Sequence, residues 1–112
     1  MKWLWTWGGT SFGYRSGDDL WTHAGCHVGR FLGTEIFAPS GDYLGEIKST
    51  NRLITDLTKH NRYQIGFTPS ANRAGYAPYA DYAAYVMYIG YRDFPSPSTL
   101  HRNNPGLASN RG

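Results

Sequence analysis

Apolar and glycine positions in the first half of the chain recur with a period of sixteen residues. One column of this pattern holds Trp5, Trp21, Phe37 and Leu53. The glycines that follow four and eight residues later in the first three copies are Gly9, Gly13, Gly25, Gly29, Gly41 and Gly45. The fourth copy keeps the period but has Leu57 and Asn61 in place of the two glycines. Self-similarity at a fixed period indicates a repeated supersecondary unit.

Each copy predicts a β-hairpin, in which two short apolar segments flank a turn. In the third copy these segments are 35–37 and 43–47, and the turn between them contains Pro39 and Gly41. A single hairpin is marginally stable in water, so four in series must bury their apolar faces against each other. A closed ring does this without exposed strand edges, although an ordinary β-meander with hairpins of equal length would share the pattern. The sequence therefore predicts a mainly β fold, a pseudo-four-fold ring or small barrel of hairpins over residues 1–73.

Six segments of the chain also share features with a known family. They read GDDLWTH at 17–23, HVGRF at 27–31, EIF at 35–37, YLGEI at 43–47, NRLIT at 51–55 and YVMYIGYRDFP at 85–95. Together they resemble the bacterial domain called the four-fold β-flower, over residues from about 3 to 95. The resemblance implies hairpins around a pseudo-four-fold axis and implies no activity, because the function of that family is uncharacterised. The fourth copy departs from the pattern, so we expect its hairpin to be distorted or longer.

Tyrosines recur every three residues in the second half of the chain. A period of three keeps side chains on one face only in polyproline II or 3₁₀ geometry, so we do not expect one regular element. Residues 74–94 are predicted to form a Tyr-rich arm, extended over 74–81 and forming a strand or short helix over 84–91. The arm packs on its own ring or on a neighbouring subunit, and stacking on bases or sugars is a further alternative. The predicted interaction residues are Tyr79, Tyr82, Tyr85, Tyr88 and Tyr91.

The segment 48–73 is the most basic part of a chain whose formal net charge is only +3. Its cations make it a candidate to bind nucleic acid or another polyanion, together with nearby tyrosines. The candidate residues are Arg52, Lys59, Arg62 and Arg73. A solvated loop with basic residues that discourage edge-to-edge aggregation explains the same composition. Nucleic acid is therefore an alternative partner and not the favoured one.

Three residues at one predicted turn have the chemistry of a metal or nucleophile site: His23, Cys26 and His27. Zinc takes four ligands, and no second cluster of Cys or His in the sequence supplies the rest. The sequence has no phosphate loop, no GxGxxG and no HExxH motif. We therefore predict no enzymatic activity, no cofactor and no metal, and we expect these polar turn residues to face solvent.

The length of the chain allows a single domain. The chain of 112 residues has one cysteine, which excludes an internal disulfide. No apolar run reaches the length of a signal-peptide core or of a membrane span, so we expect a cytoplasmic protein without a membrane partner. Residues 95–112 have few apolar side chains and are predicted to form a flexible tail. The sequence thus predicts a structural or interaction module that self-associates as a homo-oligomer or docks a protein partner.

Overall fold

The computed structural model describes residues 1–103, and it confirms a mainly β fold built as a small barrel of hairpins. Seven strands form the barrel: β1 (Lys2–Thr6), β2 (Ser11–Ser16), β3 (Asp19–Thr22), β4 (His27–Leu32), β5 (Glu35–Phe37), β6 (Tyr43–Lys48) and β7 (Arg52–Asp56). A 3₁₀ turn follows at Leu57–Lys59. After a long extended segment the chain adds β8 (Tyr91–Asp93) and the helix α1 (Pro97–Asn103).

The barrel closes through a parallel pair of strands. Successive strands from β1 to β7 pair antiparallel, and β1 then pairs with β7 in parallel, with Trp5 opposite Arg52 and Thr6 opposite Leu53. Parallel closure follows from parity, because the first and last strands of an antiparallel meander run in the same direction when their number is odd. Closure leaves little free strand edge, which is the usual advantage of a barrel.

The first three copies of the repeat share the same turn. In each, the first glycine donates its N–H to the carbonyl three residues earlier, over 2.8–3.0 Å. These bonds run from Gly9 to Thr6, from Gly25 to Thr22 and from Gly41 to Ala38. The three glycines have φ of +97°, +94° and +98°, a conformation that side chains with a Cβ rarely adopt. The sixteen-residue period therefore encodes a repeated left-handed turn position.

The second glycine of each copy directly follows a bulged residue of its own strand, because Phe12, Val28 and Leu44 are skipped in the pairing with the preceding strand. Register shifts occur at Leu4/Trp5, Leu20/Trp21 and Ile36/Phe37, and the paired glycines are Gly13, Gly29 and Gly45. A bulge increases the local twist and bends the strand. Three equivalent bulges therefore help to curve seven short strands into a closed barrel.

The fourth copy is distorted, as its missing glycines led us to expect. Its second strand, which the period would place at 59–64, does not form, and the chain leaves the barrel after the 3₁₀ turn. β8 takes that place instead and pairs antiparallel with β7, with Ile54 opposite Asp93 and Asp56 opposite Tyr91. Phe94 follows β8 into the core, where its ring centroid lies 5.3 Å from that of Phe12.

The inside of the barrel holds aliphatic and phenylalanine side chains, and a column of large aromatic rings lies on its outer face. Side chains alternate across a strand, so Leu4, Leu20 and Ile36 point inward and the residue that follows each of them points outward. Among the innermost residues, none more than 4% exposed, are Leu4, Phe12, Leu20, Val28, Phe31, Ile36 and Leu53. The outer column holds Trp5, Trp21 and Phe37, and these rings are also buried, at 7%, 2% and 3% exposure. Something outside the barrel must therefore cover them.

The C-terminal part of the described chain is more ordered than the predicted flexible tail. Residues 97–103 form α1, and Leu100, 7% exposed, joins the core cluster. Ser96 caps the helix, since its Oγ accepts from the N–H of Thr99 at 3.3 Å, and Pro97 occupies the first position. Ser96 followed by Pro97 is a sequence signal for the start of a helix. The buried Leu100 then attaches this short helix to the core. Residues 104–112 of the predicted tail lie outside the described residues.

We expect substitution at a turn glycine to cost more than the backbone conformation alone explains. A Cβ on Gly25 would fall on the carbonyl oxygen of Arg73, whereas a Cβ on Gly33, which also has positive φ (+63°), meets nothing within 4 Å. Gly33→Ala should therefore lower the free energy of unfolding by about 1 kcal/mol. Gly25→Ala should lower it by about 2 kcal/mol or more. Urea unfolding of the two variants measures the difference, and equal losses would contradict this account.

Candidate interaction surface

Residues 64–90 form an arm that circles the outside of the barrel. Residues 64–88 contain no helix or strand, so the arm must find its backbone partners elsewhere. At each of three turns, two arm N–H groups three residues apart donate to the carbonyl of the turn glycine and to the carbonyl two residues before it. Gln64 and Phe67 bond to Gly41 and Pro39, Arg73 and Tyr76 bond to Gly25 and His23, and Tyr82 and Tyr85 bond to Gly9 and Trp7, over 2.7–3.1 Å.

The arm has a sequence repeat of nine residues that matches this path. The donor pairs recur every nine residues, while their acceptors recur every sixteen residues in the barrel. Matching positions of successive units hold Gly66 and Gly75, Pro69 and Pro78, and Ala71 and Ala80. Nine residues thus carry the arm from one turn to the next. The tyrosine spacing of three is a third of this period and hides it in the sequence, so the arm begins ten residues before residue 74, where we had predicted its start.

Tyrosines of the arm interdigitate with tryptophans of the first hairpin. Trp3 and Trp5 share the outer face of β1, and Trp7 follows them in the turn. Each indole has an arm tyrosine close by: the ring centroids of Trp3 and Tyr79 are 4.7 Å apart, those of Trp5 and Tyr82 are 4.0 Å apart, and those of Trp7 and Tyr85 are 4.9 Å apart. The second pair is stacked and the other two are close to edge-on, which are the favoured aromatic geometries. The tyrosines therefore pack on their own barrel.

Polar groups of the tryptophans also hold the arm. The indole N–H of Trp5 donates to the carbonyl of Ala80 and that of Trp7 donates to the carbonyl of Val86, both at 2.9 Å. The backbone N–H of Ser11 donates to Asp81 at 2.9 Å. Extended chain that forms no sheet is thus bonded to the barrel through both its N–H and its C=O groups.

Arg52 joins the closing strands to the arm. Its side chain is buried, and its guanidinium donates to the carbonyls of Trp7 (3.1 Å) and Ala83 (3.0 Å), with a longer bond to Thr6 (3.4 Å). The guanidinium carbon also lies 3.9 Å from the ring centroid of Tyr85, in cation–π geometry. The guanidinium of Arg52, which we had considered as a polyanion ligand, is therefore engaged in contacts within the protein.

Five tyrosines of the arm keep about half of their side-chain surface exposed while their inner edges are packed. We call these residues the Tyr belt, and their exposures lie between 45% and 54%: Tyr76, Tyr79, Tyr82, Tyr85 and Tyr88. Four of the five predicted interaction residues belong to it. The fifth, Tyr91, begins β8 and lies more buried beside Lys48, whose Nζ is 5.5 Å from its ring centroid. Two aliphatic side chains extend the exposed surface, Val86 at 88% and Ile89 fully exposed. The segment 84–90 is neither the strand nor the helix we had predicted.

The other predicted polyanion residues already have partners. The ammonium of Lys59 lies 2.7 Å from Glu46 and 3.0 Å from Glu35, and Arg62 lies 2.7 Å from Glu35. The hydrogen bond to Glu46 raises the pKa of Lys59. Burial opposes ionisation of Glu35, but hydrogen bonds from the two cations outweigh it and lower its pKa. Arg73 lies elsewhere, with its guanidinium carbon 3.8 Å from the ring centroid of Trp21.

The three candidate metal or nucleophile residues point in different directions. His23 is partly exposed, with Nδ1 3.3 Å from the carbonyl of Tyr76. Cys26 belongs to the core, and burial raises the pKa of its thiol. His27 is buried between the rings of Trp21 and Phe67. The arm covers this turn, so the expectation that all three residues face solvent was wrong for Cys26 and His27.

Comparison with protein families, curated proteins and solved structures gave no match for this chain. The resemblance to the four-fold β-flower therefore stays a prediction from the residues. Within residues 1–103 no three His, Cys, Asp or Glu side chains gather in a way that could hold a metal ion. No helix in that part of the chain is long and apolar enough to cross a membrane.

We expect Arg52 to contribute far more to stability than Arg62, the half-exposed arginine that pairs with Glu35. Arg52→Leu removes the donors of buried carbonyls and should lower the free energy of unfolding by about 3 kcal/mol. Arg62→Leu breaks an ion pair in which the arginine side chain is 51% exposed, so it should cost at most about 1 kcal/mol. Denaturant unfolding monitored by tryptophan fluorescence compares the variants. A loss for Arg52→Leu no larger than that for Arg62→Leu would show that Arg52 does not bind the arm.

Proposed function

We propose that the protein is a non-enzymatic interaction module whose Tyr belt contacts a protein, either a second copy of itself or another partner. The observation that carries the proposal is the half-exposure of five tyrosines whose inner edges are fixed by tryptophans. Tyrosine offers a large contact area and a polar tip, and it is enriched in protein interfaces. The belt collects such side chains on one continuous segment.

The rigidity of the belt supports the same proposal. Binding costs free energy when flexible side chains must be immobilised, and a surface that is already ordered avoids most of that cost. Trp5 stacks on Tyr82 and donates to the carbonyl of Ala80, so ring and backbone are both held before any partner arrives. Ala80 is exposed between Tyr79 and Tyr82, which leaves a shallow apolar notch at the middle of the belt.

The non-enzymatic assignment is supported by the separation of the chemically versatile residues. Cys26 points into the core and His27 is bonded on both ring nitrogens, so the two do not form a nucleophile and base.

Binding of nucleic acid or another polyanion is the weaker alternative. Three of its four candidate cations, Arg52, Lys59 and Arg62, already bond to carbonyls or carboxylates. A polyanion would have to compete with these partners. Retention on heparin that falls steeply with salt would support the alternative, since release of counterions makes such binding salt-dependent.

A charge placed within the belt tests the main proposal without removing any tyrosine. Ala80→Glu keeps the backbone carbonyl that Trp5 uses and adds a carboxylate in the notch between Tyr79 and Tyr82. If copies associate through the belt, sedimentation equilibrium should show association weakened by about tenfold or more, as expected at the centre of an interface. Thr34→Glu adds the same charge at the exposed β4–β5 turn and should leave association unchanged.

Three results bear against the proposal. A strictly monomeric wild-type protein would rule out self-association. Equal effects of Ala80→Glu and Thr34→Glu on association would rule out the belt as the contact surface. Heparin binding that Ala80→Glu leaves intact would favour the polyanion alternative. Far-ultraviolet circular dichroism of each variant verifies that the barrel is preserved.

A further inference from the structure

His27 connects the barrel to the arm through a side chain that can change its charge. Its ring is stacked between Trp21, at 5.0 Å between centroids, and Phe67 of the arm, at 5.2 Å. Nδ1 accepts the backbone N–H of Ser70 at 2.8 Å. Nε2 lies 3.1 Å from the carbonyl of Gly29 and 3.1 Å from the carboxylate of Asp19.

These partners fix the tautomer of His27. A backbone N–H can only donate, so Nδ1 must present its lone pair to Ser70. A neutral imidazole carries one N–H, which therefore lies on Nε2, where Gly29 and Asp19 offer acceptors. The ring is therefore neutral when the arm is bound. The hydrogen bond from Ser70 depends on Nδ1 remaining unprotonated.

We propose that His27 is a pH-sensitive latch that releases residues 67–70 of the arm when its ring is protonated. A proton on Nδ1 replaces the lone pair that accepts from Ser70 and places two donors against each other. Nε2 can keep its bonds to Gly29 and Asp19, so the ring stays on the barrel and the arm moves away. Release would expose Phe67 and one face of the imidazolium ring.

The charged groups around the ring come from three elements. Asp19 on β3 favours protonation, whereas Arg30 on β4 opposes it. Arg73 of the arm lies over the ring of Trp21, and the neighbouring thiol of Cys26 is neutral because burial raises its pKa. Burial is the largest influence on His27 and lowers its pKa despite the attraction of Asp19. Ring and arm thus stay joined at neutral pH.

His23 on the same turn contacts the arm with the opposite hydrogen-bonding role. Its Nδ1 faces the carbonyl of Tyr76, which can only accept, so that contact does not need an unprotonated Nδ1. Two histidines four residues apart therefore face the arm differently, since His27 accepts from an N–H and His23 faces a carbonyl. Acidification should loosen the arm at Ser70 and leave it bound at Tyr76.

The sign of the pH dependence follows from linkage. Because Nδ1 must stay unprotonated in the docked state but not in the released state, the docked ring has the lower pKa of the two, and the docked state is most stable above the pKa of the released ring. Stability of the contact is lost as the pH falls from there through the docked pKa. Within that interval the released fraction should rise by about tenfold per pH unit.

Amide exchange of the wild-type protein tests the latch directly. We expect the protection factor of the Ser70 amide to fall by about tenfold per pH unit below neutrality, in step with the His27 ring titration followed by NMR. The Tyr82 amide bonds to Gly9 at a turn without histidine, so its protection should stay constant and serves as the internal control.

The matched variant is His27→Asn, whose side-chain oxygen can accept from Ser70 but does not titrate in this range. Its Ser70 protection should be independent of pH, and His23→Asn should retain the wild-type response. Parallel loss at Ser70 and Tyr82 would overturn the proposal, because it would indicate general unfolding. Constant Ser70 protection while the His27 ring titrates would also overturn it, as would a pH response that survives in a folded His27→Asn variant. If that variant does not fold, the comparison of Ser70 with Tyr82 in the wild type decides alone.

Discussion

The outward-facing tryptophans of the first hairpin constrain the rest of the structure. Strand alternation places aliphatic residues such as Leu4 inside the barrel and leaves Trp3 and Trp5 on its outer face. A tryptophan buries up to about 250 Å², and at about 25 cal/mol per Å² its coverage contributes several kcal/mol. The arm supplies that coverage. Its path over these rings explains why it is extended, why it bonds to the turn carbonyls and why its tyrosines are regularly spaced.

Arg52 stabilises the place where the seven-stranded barrel closes between β1 and β7. The parallel pair of β1 and β7 is short, and beyond it β7 turns to β8 for a partner. The guanidinium reaches the carbonyls of Thr6 and Trp7 just where β1 ends, and the carbonyl of Ala83 on the arm. A planar group with five donors suits a place where three chain segments meet. Its burial is tolerated because carbonyl dipoles and the Tyr85 ring replace water around the charge.

Local features of the sequence predicted the barrel, whereas long-range contacts determined what the sequence did not predict. The turn glycines and the sixteen-residue period are visible in the residues, because each turn is formed within a few positions of the chain. The pairing of β8 with β7 and the burial of Arg52 depend on groups more than thirty residues away. The tyrosine spacing pointed to the Tyr belt but not to the tryptophans that hold it. The turn candidates, His23, Cys26 and His27, were predicted to face solvent because nothing local shows that the arm crosses that turn.

The two repeat lengths make the barrel and the arm mutually dependent in evolution. The arm runs back past the turns in the reverse of their order along the chain, advancing nine residues for every sixteen in the barrel. An insertion of one residue in the arm would misalign every donor beyond it with its carbonyl and every tyrosine with its tryptophan. Gain or loss of a hairpin would likewise leave the arm nine residues too short or too long. A change in length should therefore preserve the fold only when one sixteen-residue hairpin and one nine-residue unit of the arm are gained or lost together. The two repeats must evolve as one unit.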